Sequence, residues 1–408
     1  MARINLFIVA LAALAIVIRA VPVGVPALHF TLRQVPNPEH IARSPEEIYA
    51  RALAKYGYDS PAILIRESAP LNGSVITNPE KDDESYLSPV IVGGQTMLVN
   101  IDTGSSDFWV FSSLLRPNQK EGHIIYTPGP EARELVNHTW DIGYGDGSFA
   151  FGKVFLDKVE LGGISVPDQA VEAATRVSPT FVEDRNNSGI MGLGFGNLNM
   201  VRPRKQKTFF ENAMAHLSMP VLAASLKHGA PGTYDFGFID RKKYAGELAY
   251  LPVDNTEGYW NVTVAGYQIG RNGNKMNITF SALADTGTTL ALLPEPIVNA
   301  YYSQVTGAEH VYKRVWYFPC NVTVPDFGLV INDNYTAFIP GEFVKYATPS
   351  VVKESCYGGI QASRNGAILG GMFLKSQYAV FDYGQVRLGL APQAEGNKTC
   401  SKCLVKTA

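Results

Sequence analysis

Two four-residue stretches carry the chemistry most visible in this chain. Asp102-Thr103-Gly104-Ser105 sits in the apolar run VNIDTGSSDFWV, and Asp285-Thr286-Gly287-Thr288 sits in ALADTGTTLAL. Each puts a carboxyl group, hydroxyls and a glycine among apolar neighbours, and a buried carboxylate is costly unless it is paired or hydrogen-bonded. Either stretch alone is compatible with an ordinary turn, since Asp, Gly and Ser are turn formers; the repetition argues for more. If the two loops meet, their carboxyl groups cannot both ionise easily, so the pair shares a proton. One member then accepts a proton from water while the other donates one to a carbonyl, which is general acid–base hydrolysis of an amide. That chemistry needs no covalent intermediate, cofactor or metal. Gly104 and Gly287 permit close backbone approach. Ser105 and Thr288 offer hydroxyls to the outer carboxylate oxygens, and Thr103 and Thr286 can tie one loop to the other.

The elements that must position these loops repeat as well. An apolar run leads to Asp102-Thr103-Gly104, followed later by Gly189-Ile190-Met191-Gly192; another leads to Asp285-Thr286-Gly287, followed by Ala367-Ile368-Leu369-Gly370-Gly371. The same two elements in the same order imply a duplicated lobe. The chain is 408 residues long, 46% hydrophobic and 18% charged, which suits two folding units. Abundant Gly, Pro, Tyr and Phe, with Val and Thr in short runs, favour a mostly β protein. SYLSPVIVGGQTMLVNIDTG alternates apolar and polar residues around a Gly-Gly turn and predicts a hairpin. Helices are predicted over about residues 207–215 and 294–304, and EEIYARALAKYGY places Ile48, Ala52, Leu53 and Tyr56 at helical spacing. A net charge of −2 gives no reason to expect nucleic acid or an anionic membrane as partner.

Residues 1–20 combine Arg3, a short apolar run and small residues near Ala20, the pattern of a secretory signal. Secretion predicts oxidised cysteines and glycans. The sequence has Cys320, Cys356, Cys400 and Cys403, and Asn-x-Ser/Thr sequons at Asn72, Asn137, Asn186, Asn261, Asn277, Asn321, Asn334 and Asn397. Cys400-Ser401-Lys402-Cys403 in the polar tail reads as a short-loop disulfide or a redox pair. The tail lacks the apolar stretch of a glycolipid anchor. The seven histidines do not cluster with Cys or acidic residues at metal spacing.

Taken together, DTGSSDFWVFSS, YGDGS, SGIMGLGF, QKTFFENA, PGTYDFGFID, ADTGTT, YFPC and ILGGMFL resemble the pepsin-family aspartic proteases, above all the secreted fungal enzymes of the aspergillopepsin and penicillopepsin type. The resemblance spans roughly residues 25–391 and implies a mostly β, bilobal acid protease fold. Its two β lobes would be related by a pseudo-two-fold axis, with a cleft between them. It implies residues 21–72 as an inhibitory propeptide, 73–250 and 251–391 as the two catalytic lobes, and 392–408 as a polar tail. Asp102 and Asp285 match the catalytic pair. Tyr144, Gly145, Asp146 and Ser148 match the β-hairpin flap, and Trp109 matches the residue that bonds the flap tyrosine. Phe181 and Ile190 match a substrate-pocket wall, while Gly287 and Thr289 match positions that bond the substrate backbone. Lys55-Tyr56 matches the precursor stretch whose lysine lies on the catalytic carboxylates. Cys320 and Cys356 match the disulfide of the C-terminal lobe.

The function implied is a secreted aspartic endopeptidase, made as a zymogen and active in acid, favouring hydrophobic residues around the cut. Asp146 matches a residue that admits Lys before the cut, or is simply a turn former before Gly147. Protein and peptide substrates are expected, with the propeptide as an intramolecular inhibitor and the chain a monomer without a membrane anchor. The other readings are a non-catalytic pepsin-fold protein that binds peptides, and a vacuolar acid protease. Gly371 departs from the family pattern, in which Asp is frequent after Ile-Leu-Gly.

Overall fold

The computed structural model describes residues 28–37, 43–58, 86–144, 148–311, 315–347 and 355–394. Strand Gln95–Asp102 shows how the sequence builds the first lobe. Met97, Val99 and Ile101 are buried, whereas Thr96, Leu98 and Asn100 between them are more exposed, as a half-covered strand demands. It forms a hairpin with Tyr86–Val92 through Gly93 and Gly94, both at positive φ. These strands belong to an eight-stranded sheet ordered Val35–Pro36, Tyr86–Val92, Gln95–Asp102, Gly189–Gly192, Phe108–Val110, Ile164–Val177, Phe149–Leu161, Arg133–Gly143. Gly189–Gly192 is therefore threaded between the strands that enter and leave the first Asp loop. It runs parallel to the first, with Asp102 opposite Gly192, and antiparallel to the second.

The second lobe repeats this arrangement. Ala367–Leu369 lies between Phe280–Ala284, to which it is parallel, and Ala291–Pro294, to which it is antiparallel. The mostly β, bilobal fold expected from the sequence is the one observed. An eleven-stranded sheet spans the molecule: Val221–Ser225 pairs with Gln377–Asp382, and Ala249–Asp254 pairs with both Arg387–Pro392 and Asn261–Val264. Residue 250 thus falls inside a strand of the shared sheet. Trp260 packs into this junction fully buried, donating its indole N–H to the Leu193 carbonyl at 3.1 Å, and the Tyr383 hydroxyl donates to the same carbonyl at 2.6 Å.

Helices are few. Phe209–Ala213 starts at a capping box between Thr208 and Glu211, and Glu295–Tyr302 is the longer of the two predicted after residue 200. Pro45–Lys55 is capped by the Ser44 hydroxyl, carries Glu46 and Glu47 in its first turn and Lys55 in its last, and buries Ile48, Tyr49, Ala52 and Leu53. Cys320 and Cys356 are disulfide-bonded. No described helix is long and apolar enough to cross a membrane.

Candidate active site

Asp102 ends its strand and Asp285 follows directly on Phe280–Ala284, so each carboxyl group leaves a strand rigidly held on both sides. The two loops lock reciprocally. Thr103 N–H donates to Thr286 Oγ1 and Thr286 N–H to Thr103 Oγ1, both at 3.0 Å. Each hydroxyl then donates onward across the lobe boundary, Thr103 to the Ala284 carbonyl at 3.0 Å and Thr286 to the Ile101 carbonyl at 2.8 Å. Within each loop a glycine N–H holds the inner carboxyl oxygen: Gly104 to Asp102 Oδ1 and Gly287 to Asp285 Oδ1, each at 2.8 Å. The Ser105 hydroxyl donates to Asp102 Oδ2 at 2.6 Å, and the Thr288 hydroxyl to Asp285 Oδ2. The glycines are required by proximity. A Cβ on Gly104 would stand 2.5 Å from the Asp285 carboxyl group, and one on Gly287 would stand 2.4 Å from Asp102 Oδ1.

The carboxyl groups are 3% and 0% exposed and share the Lys55 ammonium group, which decides their titration. Burial raises Asp102; Lys55 opposes that, and the negative charge on Asp285 adds to it, so Asp102 ends above the usual carboxylate range. Burial also pushes Asp285 up, but Lys55 and hydrogen bonds from Asp102, Thr288 and Tyr56 outweigh it and hold Asp285 at about 2. One member keeps a proton and the other stays ionised, the division of labour that acid–base hydrolysis requires.

Lys55 and Tyr56 close over this pair from the end of helix Pro45–Lys55. Lys55 Nζ donates to Asp102 Oδ1 at 2.8 Å and to Asp285 Oδ2 at 2.9 Å, and the Tyr56 hydroxyl donates to Asp285 Oδ2 at 2.7 Å. The same helix is fastened at its other end, where the Tyr317 hydroxyl donates to Glu46 Oε1 and the Tyr49 hydroxyl donates to the Ala362 carbonyl at 2.5 Å. Beside the helix remains a cavity of about 140 Å³ whose lining includes Asp102, Tyr144, Ser148, Phe181, Ile190 and Thr289. Phe181 meets Trp109 edge-on at 4.9 Å and Tyr144 edge-on at 5.7 Å. The Trp109 indole N–H is buried and makes no hydrogen bond, so the expected bond to the Tyr144 hydroxyl is not formed.

The two Asp loops, Lys55, Tyr56 and the pocket residues Tyr144, Ser148, Phe181, Ile190 and Thr289 therefore converge on one cleft. Gly145 and Asp146, Asn72, Asn397, Cys400, Cys403 and segment 1–20 lie outside the described residues. Of the remaining sequons, Asn137, Asn277, Asn321 and Asn334 are exposed, whereas Asn186 and Asn261 are half-buried and hydrogen-bonded to Asn37 and Ser281. Sequence reading missed the cationic residues that reach the pocket. The Arg51 guanidinium lies 6.0 Å from the Phe181 ring centre, and Arg43 pairs with Asp184 at 3.6 Å. A signal for Arg51 was available: it precedes Lys55 by four residues and so shares its helix face.

Comparison with known proteins agrees with this geometry. The family model described as eukaryotic aspartyl protease matches residues 85–393. The chain is 46% identical over 387 residues to aspergillopepsin-1 of Aspergillus fumigatus, covering 93% of this chain and 97% of that protein. It is 45% identical to aspergillopepsin-1 of Aspergillus oryzae over 389 residues, covering 94% of this chain and 98% of that protein. To penicillopepsin-2 of Penicillium janthinellum it is 45% identical over 393 residues, covering 95% of this chain and 98% of that protein. The chain belongs to the pepsin-type eukaryotic aspartic proteases, and it is an aspartic endopeptidase.

Proposed function

We propose that this endopeptidase is secreted as an inactive precursor and cuts peptide bonds in acid through Asp102 and Asp285. The observation that carries the reading is the single ammonium group of Lys55 bonded to both buried carboxyl groups. In this reading residues 21–72 are the inhibitory propeptide and residues 73–250 and 251–391 the two catalytic lobes. The helix ending at Lys55 fills the cleft that an extended substrate would occupy. Acid protonates Asp102, whose carboxyl group is raised, well before Asp285, which weakens the Lys55 contact and lets the segment leave.

Once the cleft is open, water takes the place of the ammonium group. The ionised member removes a proton from that water while the protonated member donates to the scissile carbonyl, giving a tetrahedral intermediate. Transfer of a proton to the departing nitrogen then splits the amide and restores the shared proton. Gly104 and Gly287 N–H, with the Ser105 and Thr288 hydroxyls, keep both carboxyl groups in place throughout. Tyr144, between its hairpin and Phe181, is the group that folds over the substrate, and the Phe181–Ile190 wall receives an apolar side chain. Arg51, lodged against Phe181, supports acceptance of a long basic side chain in the same pocket.

The test compares the purified precursor with its Asp285→Asn variant at about pH 4 with unfolded haemoglobin. Peptide release and loss of the propeptide in the wild type alone are the expected results. If the wild type cuts nothing across the acid range even after the propeptide is removed, the dyad reading fails.

A further inference from the structure

A second pair of acidic side chains lies beneath the Asp102 loop, and hydrolysis makes no use of it. Asp107 immediately precedes strand Phe108–Val110, and Glu172 stands in Ile164–Val177 opposite Trp109. Asn199, just past a turn at Gly196–Leu198, lies between them. The three are 3%, 1% and 2% exposed, and none lines the cleft cavity.

Their hydrogen bonds leave a deficit of one proton. Asn199 Oδ1 accepts from the main-chain N–H groups of Gln206 at 2.8 Å and Val201 at 3.2 Å, which fixes the orientation of the amide. Its NH₂ group therefore faces the acids, donating to Asp107 Oδ1 at 2.8 Å and Glu172 Oε1 at 2.9 Å, with the Ser106 carbonyl at 3.3 Å. Met200 N–H adds a bond to Asp107 Oδ1 at 2.7 Å. Glu172 Oε2 is buried and receives no donor. Asp107 and Glu172 nonetheless meet at one amide nitrogen, since both accept from Asn199 Nδ2. Two buried carboxyl groups held this close cannot both ionise cheaply, and Glu172 Oε2, buried without a donor, is placed to hold the proton.

We propose that Asp107 and Glu172 are positioning residues sharing one proton, carried by Glu172 and donated to Asp107, and that its loss toward neutral pH unfastens the Asp102 loop and ends catalysis. The mechanical link is short. Asp107 accepts from Gly192 N–H at 2.9 Å through its main-chain carbonyl, and the Ser106 hydroxyl donates to the Phe195 carbonyl at 2.7 Å. Gly194 N–H reaches the Ser105 carbonyl and Leu193 N–H the Asp102 carbonyl, both at 2.7 Å. The segment that carries Asp102 is thus stitched to its neighbour strand at the residues flanking the pair.

Surrounding charge favours retention of the proton. Burial, then the charge of Asp107, drives Glu172 well above the usual carboxyl range against the pull of Asn199. Burial holds Asp107 at about 6, against the Met200 N–H, the Glu172 bond and the Lys205 ammonium, with Asp102 adding a small push upward. Both groups are raised relative to an unfolded chain. Their contribution is complete below the ordinary carboxyl values of about 4 and is lost as pH rises through Asp107's value and beyond.

Glu172→Gln tests this in the full-length precursor and the processed enzyme, because the amide can donate to Asp107 at any pH. The midpoint for loss of native tryptophan fluorescence should move to higher pH, and activity surviving incubation near neutrality should rise severalfold. The urea midpoint measured across about pH 5 to 7 should report roughly one proton fewer released on unfolding. Infrared difference spectra should show one protonated carboxyl band lost from wild type to variant, beside the one that the Asp102–Asp285 pair keeps in both, which a purely packing role would not produce. An unchanged or lowered midpoint together with an unchanged proton count overturns the proposal. Should that variant fail to fold, Asp107→Asn carries the same expectations, since it also removes the like-charge conflict. The catalytic consequence rests on Asp102 belonging to the dyad. If that reading is wrong, the structural midpoint still shifts while neither protein cuts peptide.

Discussion

Replacing Lys55 by methionine should turn a latent precursor into one that opens near neutral pH. Methionine keeps most of the apolar stem and removes only the ammonium group that bridges Asp102 and Asp285 at 2.8 and 2.9 Å. Asp285 is held at about 2 with Lys55 as the largest opposing influence to burial. Against an ordinary value near 3.9, that corresponds to roughly 2–3 kcal/mol between charged and neutral forms. The sign follows from the depression: this stabilisation is complete above the ordinary carboxyl range and is lost as pH falls through about 2. Removing one partner of a buried pair costs about 3–5 kcal/mol, part of which the carboxyl groups recover by taking up a proton. A net weakening of about 3 kcal/mol raises the open population on the order of a hundredfold. The assay is the rate of propeptide loss from purified precursor at about pH 5 to 6, with Lys55→Met,Asp285→Asn as the uncleaved control. The variant should process about two orders of magnitude faster than wild type. If it stays latent with the wild-type pH profile, the apolar face of the helix, through Ile48, Tyr49 and Leu53, is sufficient to hold the cleft shut and the charge argument is wrong.

Two further outcomes follow from the same geometry. Gly104→Ala puts a methyl group 2.5 Å from the Asp285 carboxyl group, so the loops must separate; peptidase activity should fall at least a hundredfold, and a thermal melt should show a loss of about 1–3 kcal/mol. Cys356→Ser opens a bridge whose cysteines are 36 residues apart, which should lower stability against urea by up to about 4 kcal/mol while leaving acid cleavage at low denaturant largely intact.

How much of this was legible beforehand differs from residue to residue. Asp102 and Asp285 announce themselves because a carboxyl group in an apolar run is expensive, and two such runs in one chain demand a common explanation. The Lys55 contact is legible only through resemblance, since nothing in KYG states that a helix will lie in a cleft. Arg51 and Asp184 were missed because surface-type residues carry no local sign of where a distant element will cover them. Glu172 in AVEAATRV could have been flagged as a lone acid in an apolar strand. Its partners could not, because Asp107 lies 65 positions away and Asn199 27 positions away in the sequence.

By itself the sequence determined the period of the strands, the hairpin at Gly93-Gly94, the duplicated order of elements and the identity of the groups able to move protons. Those are local properties, set by side-chain alternation and by the conformational reach of single residues. Only the tertiary structure decided that the two Asp loops interlock through Thr103 and Thr286, that one ammonium group satisfies both carboxyl groups, and that a second acid pair lies beneath the first. Each of these depends on through-space distances of about 3 Å between residues far apart in the chain, where burial makes a shared proton or a bridging cation the least costly way to satisfy charge.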